Sequence, residues 1–171
     1  TEIIDPVAGT SVPGPPLAEK RAHHGAVRAG QQVVAVIGGE GQNALRRRVE
    51  FVSTTRNTAS LGPELTIGRS RPIVGVFPND QRVVLVAGGV SSAGTSVGSG
   101  QGVDSAELLL LDLQGLEGSE VLCPNLKMTQ ARVAAGITSL EDGLLIVGGI
   151  AWSDEHNKEE ALNNAEEVVL Q

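Results

Sequence analysis

Three times along the chain a short aliphatic run closes on a pair of glycines: VVAVIGG ending at Gly38 and Gly39, VVLVAGG at Gly88 and Gly89, and LLIVGG at Gly148 and Gly149. The pairs recur at intervals of roughly 50 and 60 residues, a spacing that marks one supersecondary unit used repeatedly. This constrains the fold more than any single motif does. Each copy must take the same local structure, and a unit of that size buries its apolar faces only by stacking on its neighbours. A glycine pair at a strand end admits positive φ and the close approach of another backbone, neither of which a side chain tolerates well.

Three further elements keep step with the glycine pairs. An acidic residue opens a short apolar strand at Glu2, Glu50, Glu107 and Glu166, in TEIID, VEFV, AELLLLD and AEEVVL. An arginine introduces a β-prone stretch before each glycine-pair strand: Arg21 in KRAHHGAV, Arg71 in GRSRPIVGV and Arg132 in QARVAAGI. After each of the first three glutamate-led strands comes or recurs a fourth type of segment, TSVPGPPL, TASLGPEL and SEVLCPNL. Short β-branched runs bounded by Gly, Pro, Asn and Asp read as strands. The unbroken apolarity of VVAVI and VVLVA predicts strands buried on both faces. One repeat thus reads as an arginine-led strand, a glycine-pair strand, a glutamate-led strand and a fourth strand, joined antiparallel by short turns.

Together these elements resemble the kelch repeat, over nearly the whole of Thr1 to Gln171. The resemblance implies an all-β fold, a partial β-propeller of four-stranded antiparallel kelch-like blades. Its units would be a partial blade at 1–20, a blade at 21–68, a blade at 69–127 and a partial blade at 128–171. The Tyr and Trp expected after the glycine-pair strand and near the fourth strand of a kelch repeat are missing here. So few periods do not close a ring of four to eight blades, so the expectation is an arc completed by other blades of the same propeller or by another subunit. The chain opens at Thr1 with neither an initiator Met nor a signal-peptide pattern, which reads as a stretch of something longer.

Composition narrows the function. With 13 basic and 20 acidic side chains the formal charge is −7, which gives no reason to approach a nucleic-acid backbone. No apolar run reaches the length of a membrane-spanning helix, so neither nucleic acid nor membrane insertion is expected. A single cysteine, Cys123, excludes an internal disulfide and any Cys-rich zinc site. The chain has no Tyr, so neither the Tyr–Cys copper site of kelch-like oxidases nor a sialidase-type nucleophile can be assembled from it. GxSxG and GxxxxGK[ST] are absent as well. The expectation is a protein without catalytic activity, cofactor or metal.

Loops supply the candidate contacts. The segment IAWSDEHNKEEALNN carries the only Trp, so Trp152, Asp154, Glu155 and His156 form the candidate partner-binding group, against the favoured reading of a solvated acidic loop with Trp152 covering a blade edge, and a short helix is possible over Glu159 to Asn163. Arg46, Arg47 and Arg48 make the one basic cluster, just before Glu50, where an acidic partner could dock, although a solvated loop end is the favoured reading. The loop from Val90 to Asp104 reads as a tolerated insertion, and His23 and His24 as structural residues beside Arg21. The recurring glutamates and arginines read as scaffold pairs, because catalysis needs one constellation and not several copies.

The functional expectation is a protein-interaction and scaffolding module. The alternative is a carbohydrate-binding or enzyme-associated propeller of a secreted protein whose active residues lie outside this segment. The Ser/Thr/Gly-rich, single-Cys style is similar to that of extracytoplasmic kelch-like proteins, and cytoplasmic ones fit the same chemistry.

Overall fold

In the computed structural model, residues 1–42, 44–91, 102–112, 118–153 and 158–170 are described, and they form an all-β chain of small antiparallel sheets without a helix. A two-stranded hairpin, β1 (Glu2–Asp5) and β2 (Thr10–Pro13), opens the chain. The first sheet contains β3 (Gly25–Arg28) and β4 (Val33–Ile37). A tiny hairpin, β5 (Glu40–Gly41) with β6 (Ala44–Leu45), follows before β7 (Arg48–Ser53) and β8 (Thr58–Glu64) complete that sheet in the order β3-β4-β7-β8. The second sheet takes β9 (Ile73–Val76), β10 (Val83–Ala87), β11 (Ser105–Leu110) and β12 (Glu120–Lys127), again in chain order. The third has three strands, β13 (Gly136–Ser139), β14 (Gly143–Val147) and β17 (Ala165–Val169). Between its last two strands lies the hairpin β15 (Ile150–Ser153) with β16 (Lys158–Ala161).

The glycine-pair strands are β4, β10 and β14, second in each sheet, where both flanks carry a ladder partner. Their faces divide by parity, as the two-residue period of a strand requires. Ile37, Ala35 and Phe51 of the first sheet meet Val84, Val86 and Leu109 of the second in one core. Leu85, Ala87 and Leu108, from the opposite face of the second sheet, meet Leu144 and Ile146 of the third in another. Every residue of β10 is buried, which accounts for its unbroken apolarity. The sheets stack in chain order, with β3 against β9 and β9 against β13.

The outer face of the third sheet breaks the pattern. Val147 occupies the register position of Ile37 and Ala87, which are fully buried, yet it is 48% exposed. Val169, on the same sheet, is likewise exposed.

The helix expected over Glu159 to Asn163 does not form. Ladder pairing of Lys158–Ala161 with Ile150–Ser153 satisfies those backbone groups instead, and tertiary pairing overrides a weak helical propensity. Among the described residues no helix is long and apolar enough to cross a membrane.

Candidate functional site

The same side-chain clamp is built in all three sheets. In the first, Arg21 donates from Nη1 to the carbonyls of Gly38 (3.0 Å) and Arg48 (2.9 Å), and from Nη2 to the carboxylate of Glu50. In the second, Arg69 donates to Gly88 O (2.9 Å), Ser105 O (3.0 Å) and Glu107 Oε1 (2.7 Å). In the third, Arg132 donates to Gly148 O (3.0 Å) and lies 3.6 Å from Glu166. The arginine thus ties its own glycine-pair strand to the glutamate-led strand beside it. Each glutamate also receives the backbone N–H three residues before the arginine: Ala18 to Glu50 (2.6 Å), Thr66 to Glu107 (2.7 Å) and Thr129 to Glu166 (2.9 Å).

The arginine of the second repeat is therefore Arg69, and the sequence-based assignment to Arg71 is corrected. Arg71 falls two residues later, at a position held by His23 in the first repeat and Ala134 in the third. All three of those residues are left-handed, with φ of 53°, 52° and 54° for His23, Arg71 and Ala134. Arg71 acts through its main chain, donating from N–H to His23 O at 2.8 Å. Arg21 and Arg132 occupy the clamp, as do Glu50, Glu107 and Glu166. Glu2 stands on the opening hairpin, is exposed and accepts a bond from Ser11 Oγ at 2.7 Å.

The glycine pairs join one sheet to the next. Gly39 N–H donates to Arg69 O (2.8 Å), and Gly89 N–H to Arg132 O (3.0 Å), so each pair holds the backbone of the following repeat's arginine. A Cβ on Gly38 would lie 2.6 Å from Arg69 O, and one on Gly88 would overlap Arg132 O. With φ of +68° and +59° these first glycines are also left-handed. Gly148 and Gly149 have the same backbone. A Cβ on Gly148, however, would meet nothing nearer than Leu162 O at 3.4 Å, and among the described residues Gly149 N–H reaches no arginine carbonyl.

The basic cluster lines a surface hollow of about 440 Å³ with Ala18, Glu19, Leu45, Leu61 and Glu64. Arg46 lies 3.6 Å from Glu19, and Arg48 is 2.6 Å from Glu64. Arg47 donates from Nε to Leu65 O at 2.7 Å, and its Nη2 lies 3.9 Å from Glu64.

The tryptophan segment is divided. Trp152 belongs to β15, where its backbone pairs with Glu159, whereas Asp154, Glu155 and His156 lie outside the described residues, as do 92–101 of the Val90–Asp104 loop. Val90 itself is buried and bridges both Ser70 and Gly102.

His23 Nδ1 is 2.6 Å from Glu40 Oε1 at the surface. His24 is held below its ordinary value of 6.5 by desolvation and secondarily by the charge of Arg21. Among the described residues no group of three His, Cys, Asp or Glu could hold a metal ion. Cys123 is exposed on β12.

No protein-family model matches the chain, and no curated protein matches it either.

Proposed function

We propose that this chain is an open arc of a kelch-like β-propeller that serves as a non-catalytic protein-interaction and scaffolding module, completed by further blades of its own or another chain. The observation that carries the reading is the vacant third seat. Two glycine pairs each hold the arginine backbone of the next sheet, and the third, half-buried in the same conformation beside an exposed Val147, holds none among the described residues. Apolar sheet faces of that kind mark interaction surfaces. The recurring clamp supports the same reading, because buried Arg–Glu pairs repeated in register fix geometry and leave no unique constellation for bond making.

Native mass tests this. The 171-residue chain is expected to associate with itself as its concentration rises, giving species above 17.6 kDa by analytical ultracentrifugation. A folded, soluble monomer of that mass over the whole concentration range would overturn the proposal that its exposed face seeks a partner.

A further inference from the structure

The backbone bond at Arg46 recurs in all three repeats, and those at Arg47 and Arg48 recur in the second. Arg46 N–H donates to Gly39 O (2.8 Å), just as Val103 does to Gly89 O (2.9 Å) and Leu162 to Gly149 O (2.8 Å). The Arg47 carbonyl accepts from Leu65 N–H (2.9 Å), as the Asp104 carbonyl does from Met128 (2.7 Å). The Arg48 carbonyl accepts from the Arg21 clamp, as the Ser105 carbonyl does from Arg69. The repeated fold therefore uses these positions chiefly through their main chain, with a side-chain bond to the clamp arginine at the third position only, from Ser105 and Asn164. Elsewhere they are Val103, Asp104 and Ser105, or Leu162, Asn163 and Asn164. Only the first repeat places three arginines there.

Their convergence is also built. Neighbouring residues of a regular strand point to opposite faces. Arg46 and Arg47 fall between β6 and β7, and the β7–β8 ladder shifts register between Arg48 and Glu50, so three consecutive side chains line one hollow. Two glycines pack close beside them, each nearer still to Lys20 O or Leu45 Cβ. A Cβ on Gly41 would stand 3.0 Å from Arg46 Nη2, and one on Gly68 would stand 3.2 Å from Arg47 Cγ. Each guanidinium is steadied by a backbone carbonyl, of Lys20, Leu65 and Gly62 in turn, at 3.3, 2.7 and 3.2 Å. Held by one or two bonds out of five donors, each keeps N–H groups for a ligand.

From this we infer that the hollow is a docking site for an acidic peptide segment of a protein partner, one that presents an Asp or Glu carboxylate next to an aliphatic residue. Three guanidinium groups against the two carboxylates of Glu19 and Glu64 leave the hollow positive in a chain of net charge −7. Guanidinium forks match carboxylates bidentately. Glu19 and Glu64 already offset two of the three guanidinium charges, so the hollow matches a single carboxylate, whereas a phosphate dianion would carry a larger desolvation cost than the remaining positive charge repays. Leu45 and the 55% exposed Leu61 supply apolar contact beside the charge. The volume suits a few side chains. This site goes beyond the scaffold reading and stands whether or not the arc is completed.

The test is a titration of the full chain, followed by calorimetry and by amide shifts around residues 44–48, with a capped Leu-Glu-Glu-Leu peptide. The same peptide with both glutamates replaced by glutamine, and one carrying phosphoserine in place of the glutamates, complete the set. The expected result is saturable binding of the acidic peptide with a salt-sensitive affinity. Binding should be at least tenfold weaker for the glutamine peptide, and several-fold weaker for the phosphopeptide. Arg47→Gln with Arg48→Gln should weaken the acidic peptide tenfold or more, and Arg56→Gln, in the exposed turn between β7 and β8, should leave it unchanged. Both groove arginines are substantially exposed, so the double variant keeps its fold. No saturable binding of the acidic peptide, equal binding of the glutamine peptide, tighter binding of the phosphopeptide, or indifference to the double substitution would each overturn the inference.

Discussion

At the scale of single residues, Arg69 and Glu107, like Arg21 and Glu50, form an ion pair with neither side chain accessible to solvent. A buried pair of this kind adds little over an apolar replacement, but removing one partner strands the other charge. Arg69→Ala should therefore cost ~3–5 kcal/mol in a urea denaturation series. Arg71→Ala, two residues away and outside the clamp, should stay within ~1 kcal/mol. Equal losses would mean that the clamp is not the second repeat's tie. His24 gives a separate pH signature. Its folded value lies below 6.5, so the unfolded chain binds the proton more readily. Its contribution is fully present above pH 6.5 and is lost as the pH falls through 6.5 towards the folded value. His24→Gln should flatten that part of the stability profile, read as melting temperature at neutral and mildly acidic pH. Asp80 behaves differently. Bonds from the Arg82 side chain and backbone hold its carboxyl below 3.8, so its effect appears only in stronger acid.

At the scale of elements, the first two glycine pairs are junctions between sheets more than ends of strands. Gly88 and Gly148 share a left-handed backbone, and adding a Cβ strains that conformation by roughly 1–2 kcal/mol at either place. Gly88→Ala also drives a methyl group into Arg132 O, across the junction of the second and third sheets. Overpacking of that kind adds ~1–3 kcal/mol. Thermal unfolding should therefore show Gly88→Ala clearly less stable than Gly148→Ala in this chain. The difference should shrink once a further repeat is supplied to the third sheet. If it persists unchanged in such an extended chain, the third seat is not a blade junction.

At the scale of the whole molecule, burial is graded along the stack. The strand β10 is enclosed on both faces, whereas β14 and β17 expose Val147 and Val169, and the β1–β2 hairpin is almost wholly exposed. Amide hydrogen exchange should rank accordingly, slowest in β10 and fastest in β1 and β2. Assembly should slow exchange selectively in β14 and β17. Uniform protection across the sheets of the isolated chain would contradict this grading.

Much of the architecture was legible before folding, because alternation and repetition are properties of the chain itself. The three glycine-pair strands, the glutamate-led strands and the antiparallel order follow from runs of Val, Leu and Ile bounded by turn residues. What depends on side-chain direction was not legible. Arg69 and Arg71 stand in the same stretch, and only the bonds from Arg69 to Gly88, Ser105 and Glu107 tell which of them enters the clamp. The stretch after Trp152 has helix-forming residues, and its strand comes from pairing with Ile150–Ser153. Three consecutive arginines read as a basic cluster, but their convergence needed a break between strands and a shifted register. The sequence by itself determined the repeat, its period and its all-β character, since these rest on local pattern. The tertiary structure alone decided which arginine clamps, which glycine pairs join neighbouring sheets and where the arginines meet, since each requires two distant segments to be brought together.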